Sequence, residues 1–433
     1  MSADEQRRRA LAQLLEPMQR ERPIPRRAIL RLAGVAAAAG AAGPLLGACG
    51  GGGSSGGGNR PSGPFEFAVI APLTGLLASS WGTFGAPLRI AVDEINSAGG
   101  VLGRQIKLKD FDDESNPASE PAVAEKILGE GIHFIAGPIG SSASLPSLER
   151  TKRSGALQGH WGADPQLTDP KRYPNGYLVN MTSEQSARTS LRKVLSLGAT
   201  RPAILLANTG DGRAYTATAR ATLDESGISP VLEETFEQGA INLNVRVQKA
   251  KNAGADSLLL YGAATPDYAA IFKAIDDLGW EVPIASNSST LFGIKLLVPE
   301  LPQELLSRVH VTAYRNLSWT ASRPIGQKQV TVLEKVAKAP KTPPVSVNPA
   351  LQGPFYDWMY LVKRAVEQAN SFDPRKVGAE LERTTDFPGL LANITFTPQS
   401  HAGIPDDQLT VAVPADLKDP RSHGFLPQDV GTG

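Results

Sequence analysis

The body of the chain alternates short apolar runs with amphipathic helical patterns, and it does so in two series. "FEFAVIA", from Phe65 to Ala71, reads as a buried strand. "PLRIAVDEINSAGG" follows, with Leu88, Val92 and Ile95 spaced along one helical face and Gly99-Gly100 as its stop. "RQIKLKDFDD" is the next strand, alternating at Ile106 and Leu108, then "AVAEKILGEG" is a helix and "IHFIAG" a strand. The second series starts near Thr200 with "PAILLAN", "YTATARATLDESG" and "ISPVLEETF", and runs on through "NVRVQKAKNAG", "DSLLLYG", "DYAAIFKAIDDLGW" and "VPIAS". In the last of these helices Tyr268, Ile271, Phe272, Ile275 and Leu278 share a face. Such alternation builds parallel sheets covered by helices on both faces. Two series predict an α/β chain with two Rossmann-like lobes, and a ligand site beyond the carboxyl ends of the strands, in the cleft between them.

Ahead of this body lies the single cysteine, Cys49, in "LLGACGGGGSSGGGN". One cysteine makes no disulfide within the chain, and the stretch around it offers no metal ligands. Upstream, "PRRAILRLAGVAAAAGAAGPLLGA" has a basic start and then a weakly apolar run of signal-peptide length, too short and Gly-rich for a membrane span. Leu46-Gly47-Ala48-Cys49 resembles the bacterial lipobox, in which the cysteine is acylated and becomes the new terminus. Arg26-Arg27-Ala28-Ile29-Leu30-Arg31 resembles the twin-arginine export motif; the general secretory route stays open beside it. The expectation is a signal peptide over 1–48 and a lipid anchor with Gly/Ser linker over 49–64. A flexible linker of that length reaches roughly 20 Å on average. The alternative is an alanine-rich helix with an incidental cysteine.

With 44 basic and 43 acidic residues the net charge is +1, and no basic stripe interleaved with aromatics suggests nucleic acid. About 370 residues follow the tether, a length natural for two lobes. An enzyme on this fold needs a nucleophile, a metal cluster or a cofactor loop. The five histidines, His133, His160, His310, His401 and His423, form no H-E-x-x-H, and G-x-S-x-G spacing occurs only in the Gly/Ser tether. There is no phosphate-binding G-x-x-x-x-G-K-[ST] loop, and "GGVLGR" follows a helix, so it reads as a helix stop. No cofactor and no metal are expected.

"IAPLTGLLASSWGTFGAPLRIAVDEINSAGGVLGRQIKLKDFDDESNPASEPAVAEKIL", Ile70 to Leu128, resembles the start of the branched-chain amino acid binding proteins of ABC importers. "GPIGSSAS" is similar to the family's ligand-binding serine loop, "GADPQLTD" to a strand-end loop, "LLYGAATPDYAAIFKAIDDLGW" to the second-lobe strand and helix, and "ITFTPQSHAGI" to a C-terminal signature. The resemblance spans roughly Phe65 to Pro414 and implies a type I periplasmic binding fold, two lobes joined by three crossing segments. Lobe 1 is then 65–184 plus 317–397, lobe 2 is 185–316 plus 398–425, and 426–433 is a tail.

The resemblance also implies site residues. Ser141, with Ser142 and Ala143, offers a hydroxyl and backbone N–H groups at a helix start to a ligand carboxylate; the same serines also serve as helix caps. The next loop departs from the pattern: Trp161-Gly162-Ala163-Asp164 puts Ala163 where a threonine is usual, removing one hydrogen bond. Trp161 is placed to floor the pocket and Trp81 to pack on a ligand side chain, with ordinary core roles as the alternative. In the second lobe Asn287 stands where an acidic residue usually pairs the ligand ammonium. Asp211 in "NTGDGRAY" is the candidate substitute, or else a solvated turn residue. Tyr215, Tyr261 and Ala264 complete the expected lining. His160 is read as structural with ligand contact as the alternative, and His401 is assigned a fold role.

The resulting expectation is an extracytoplasmic solute-binding lipoprotein of an ABC importer, anchored by lipid on Cys49 at the outer face of the bacterial cytoplasmic membrane. It would be a monomer working with a separate permease and ATPase, and its cleft would close on a small amino-acid-like or carboxylate or amide ligand. A sensor signalling to a membrane partner is the alternative, and a Rossmann-like enzyme a further one.

Overall fold

The computed structural model describes residues 63–78, 85–291, 301–339, 353–414, 418–424 and 426–432. Cys49, the export and tether segments and Trp81 lie outside the described residues. Residues from Ser62 onward form one compact unit.

The first series builds β1 (Phe65–Ala71), α1 (Gly85–Ser97), β2 (Ile106–Asp112), α2 (Glu120–Gly129), β3 (Phe134–Ile139), α3 (Ser141–Thr151), β4 (Leu157–Trp161) and β5 (Gly176–Leu178). These strands form one parallel sheet in the order β2-β1-β3-β4-β5, with Phe65 opposite Ile106 and Gln158 opposite Gly176. The predicted stripe of α1 is the buried one: Leu88, Val92 and Ile95 all face the core.

After α4 (Ser183–Ser196) the second series runs β6 (Pro202–Ala207), α5 (Gly210–Glu225), β7 (Leu232–Phe236), α6 (Leu243–Asn252), β8 (Ser257–Tyr261), α7 (Thr265–Asp277), β9 (Ile284–Ser286), α8 (Gln303–Ser307) and β10 (Val309–Tyr314). The chain then returns to the first lobe as α9 (Gln327–Lys338), α10 (Pro354–Ala369), α11 (Pro374–Leu381) and a small ribbon of β11 (Phe387–Pro388) with β12 (Asn393–Ile394). It ends as β13 (Leu409–Val413) and β14 (Gln428–Asp429), which extend the second sheet in antiparallel fashion to the order β14-β13-β10-β9-β8-β6-β7. The fold is therefore α/β with two parallel-based lobes, and the chain passes between them three times.

The crossings are tied to one another. Gln185, which closes a capping box with Thr182, donates its Nε2 to the Ile404 carbonyl at 2.9 Å and to Asp406 at 2.6 Å. Tyr314, at the end of β10, donates to Asn180 Oδ1, just past β5. His401 takes the expected fold role: it stacks on Tyr177 with centroids 4.2 Å apart, and its Nδ1 lies 2.8 Å from the Gly176 carbonyl.

In the first lobe α10 lies on the sheet through Trp358, fully buried, whose Nε1 donates to the Ile135 carbonyl at 3.0 Å. The indole can sit there only because β4 presents Gly159 beneath it: a Cβ at that position would meet Trp358 at 2.3 Å. Gly159→Ala should therefore destabilise the protein by about 1–3 kcal/mol through overpacking, measured by denaturant unfolding. A loss below about 0.5 kcal/mol would show that Trp358 is not held against β4 as described.

Candidate functional site

The strands of both sheets end at a shared cleft, and a cavity of about 300 Å³ occupies it. From the first lobe its wall is made by Leu76 and Leu77 after β1, Asp113 and Asn116 after β2, the Ile139–Ala143 segment, Trp161 and Ala163 at β4, and Asn180 and Met181 after β5. From the second lobe come Asn208, Thr209 and Asp211 after β6, Gln238 after β7, Tyr261 to Ala264 after β8, and Asn287 to Ser289 after β9. The wall thus follows the carboxyl ends of the strands, as open parallel sheets require.

Of the residues singled out from the sequence, Ser141, Ser142, Trp161, Ala163, Asp211, Tyr261, Ala264 and Asn287 line this cavity. Trp161 is buried and meets Phe355 edge-on at 6.3 Å. Tyr215 lies elsewhere. It is fully buried in the second lobe, stacked on Tyr261 with centroids 4.1 Å apart, because the helical face that carries it turns toward α4. Gly162 also stays off the wall: a Cβ there would meet Leu167 at 2.4 Å and Ser144 Oγ at 3.0 Å, and its amide donates to His160 Nδ1 at 3.2 Å. His160 is wholly buried, and burial pushes its pKa down to about 3, so the ring is neutral.

The sequence offered Asp211 as a partner for a ligand ammonium; in the structure its carboxylate goes to the opposite lobe. The Ser141 hydroxyl donates to Asp211 Oδ1, the Ala163 amide donates to the same oxygen at 3.0 Å, and the Ser141 amide lies 3.4 Å from Oδ2. Ser141 Oγ meanwhile accepts the Asp164 amide at 2.8 Å, which leaves its single hydrogen for Asp211. Burial raises the pKa of Asp211, an effect opposed by these three donors and reinforced by Asp164. Asn287 is engaged within its own lobe: Oδ1 accepts from Tyr268 at 2.8 Å and Nδ2 donates to Ser289 at 3.2 Å.

Asp113, Asn180, Asn208 and Gln238 were not anticipated. Each sits within two residues of a strand's carboxyl end; the strands read from the sequence would have nominated Asp113, Asn208 and Gln238, whereas the short β5 ahead of Asn180 was not among them. Behind Asp113 lies Glu120, wholly buried, its carboxyl oxygens without a hydrogen-bond partner. Burial, with Asp113 adding repulsion, pushes Glu120 up to about 9; burial likewise lifts Asp113 to about 6.

A family model described as periplasmic binding protein matches residues 64–413. A Leu/Ile/Val-binding protein of Rhizobium johnstonii is 25% identical over 335 residues, covering 76% of this chain and 86% of that protein. Among solved structures, the branched-chain amino acid transporter substrate-binding protein LivJ of Streptococcus pneumoniae, in complex with isoleucine, superposes with a TM-score of 0.68 at 18% identity, covering 85% of this chain and 99% of that one. An ABC transporter solute-binding protein of Rhodopseudomonas palustris, in complex with 3,4-dihydroxybenzoic acid, gives 0.71 at 15% identity, with 85% and 96% covered. At these identities the structural likenesses speak to the fold.

Glu120 carries a prediction with a definite sign. The folded carboxyl holds its proton to about pH 9, whereas an unfolded one releases it near the ordinary 4.5. The stability it confers is full below about pH 4.5 and is lost as pH rises toward 9. Glu120→Gln should flatten the fall in stability over that window by up to about 1.4 kcal/mol per pH unit, read from urea unfolding at several pH values. An unchanged slope would mean that Glu120 is ionised in the folded protein.

Proposed function

Since the chain belongs to the periplasmic binding protein family, whose members are solute-binding proteins and not enzymes, we propose that it is the extracytoplasmic solute-binding component of an ABC importer, tethered to the membrane by lipid on Cys49. The observation that carries the reading is the cavity of about 300 Å³ walled by the carboxyl ends of both sheets. That size is at the lower end for small-molecule sites and suits a solute of the amino-acid-like, carboxylate or amide class. Isoleucine in the Streptococcus pneumoniae structure and 3,4-dihydroxybenzoic acid in the Rhodopseudomonas palustris structure belong to the first two of these classes. The lobes are 65–184 plus 317–397 and 185–316 plus 398–425, with Ser141, Ser142, Trp161, Ala163, Asp211, Tyr261, Ala264 and Asn287 facing the solute. Closure is a hinge motion on the three crossings, a shift of population toward the solute-bound state. A separate permease and ATPase receive the solute, and the chain acts as a monomer.

Screening the full chain in mild detergent against α-amino acids, aromatic acids, amides and ureas should identify at least one solute that raises the melting temperature and changes tryptophan fluorescence with one-to-one stoichiometry. No response at millimolar concentration across all four classes would contradict the reading. The anchor is tested separately. Cys49→Ser should move the protein from the membrane fraction to the soluble one and abolish incorporation of a clickable fatty acid; continued membrane association would rule the anchor out.

A further inference from the structure

The cleft contains a group that a carboxylate-binding site does not need. Ser141 Oγ–H, the Ser141 amide at the start of α3, and the Ala163 amide converge as three donors for one anion, and the anion that meets them belongs to the protein itself: Asp211 of the opposite lobe. Two neighbours fix it there. Thr209 caps α5 by accepting the Gly212 amide at 3.0 Å, which sets Asp211 as the second residue of the helix. Gly210, the first, allows the two lobes to meet: a Cβ there would lie 3.2 Å from Ser141 Cβ.

We propose that Asp211 determines specificity by filling this seat, so that the cleft rejects carboxylates and takes a neutral or cationic amide-bearing solute. This rests on the reading of the cleft as a solute site. A ligand carboxylate arriving at the seat meets a like charge and finds its donors already engaged. Among the described wall residues the charged ones are Asp113 and Asp211, with no lysine, arginine or histidine. Arg213, two residues beyond Asp211, is exposed and donates to Asn208 Oδ1 at 3.4 Å. The wall does carry the complement of an amide. Asn116 uses Oδ1 on the Ala118 amide and retains Nδ2 as a donor, while Gln238 across the cleft gives Nε2 to the Gly262 carbonyl at 2.7 Å and retains Oε1 as an acceptor.

The test uses matched probes on the full chain: L-leucine against L-leucinamide, and benzoate against benzamide, by calorimetry at pH 7.5. The wild type should prefer the amide of each pair that binds by at least tenfold. Asp211→Ala should bind the carboxylate member at least tenfold more tightly than the wild type does, because the donors of Ser141 and Ala163 are uncovered. Asp211→Asn, which preserves size, should move affinity in the same direction and replaces the alanine variant if that fails to fold. A wild type that prefers the carboxylate, or a variant that gains none, overturns the proposal. Small-angle scattering without added solute separates this failure from failure of the solute reading. Equal radii of gyration for wild type and variant overturn the Asp211 contact. A more compact wild type that takes up none of the four probes upholds the contact and counts against the solute reading.

Discussion

The two carboxylate oxygens of Asp211 connect the parts of this molecule that matter for its function. On one side stands the start of α3, where a helix leaves unpaired amides and a partial positive charge. On the other stands α5, whose cap and first glycine bring an acidic residue across the cleft. Hydrogen bonds to a charged acceptor are the stronger kind, and here three converge on one partly buried carboxylate. The relative position of the two lobes, the shape of the cavity and the donors available to a solute all follow from whether that contact is made.

The hinge side is built on a different principle. There the three crossings are joined by neutral or singly charged hydrogen bonds, Tyr314 to Asn180 and Gln185 to Ile404 and Asp406, which hold the segments together. The result is a molecule tied firmly at its crossings and joined across its cleft through one ionisable residue. Behind the wall, Glu120 adds a second acidic feature, kept protonated by burial rather than neutralised by a cation, and it sits against Asp113, itself lifted to about 6.

Much of the architecture was legible in the chain because periodicity and burial are the same fact seen twice: the spacing of Leu88, Val92 and Ile95 is the buried stripe of α1, and Tyr268, Ile271, Phe272 and Ile275 are buried along α7. Ser141 was legible for a different reason, since "GPIGSSAS" resembles the serine loop of the branched-chain amino acid binding proteins. The destination of Asp211 was not. Its contact with Ser141 joins residues 70 positions apart on helices of different lobes, and no local rule gives the distance between lobes. Tyr215 fails for a smaller reason: it follows Asp211 by four residues, but on the side of α5 that packs on α4. Glu120 precedes the apolar pattern of "AVAEKILGEG", and nothing local marks it as buried.

The most direct measurement is a double-mutant cycle on unfolding free energy with Ser141→Ala, Asp211→Ala and the double variant, at neutral pH. If the Asp211 carboxylate holds the seat at α3, the two substitutions should be strongly non-additive, with a coupling of about 1–3 kcal/mol. Additivity within about 0.3 kcal/mol would show that the two residues do not interact, and would remove the contact on which this account of the cleft depends.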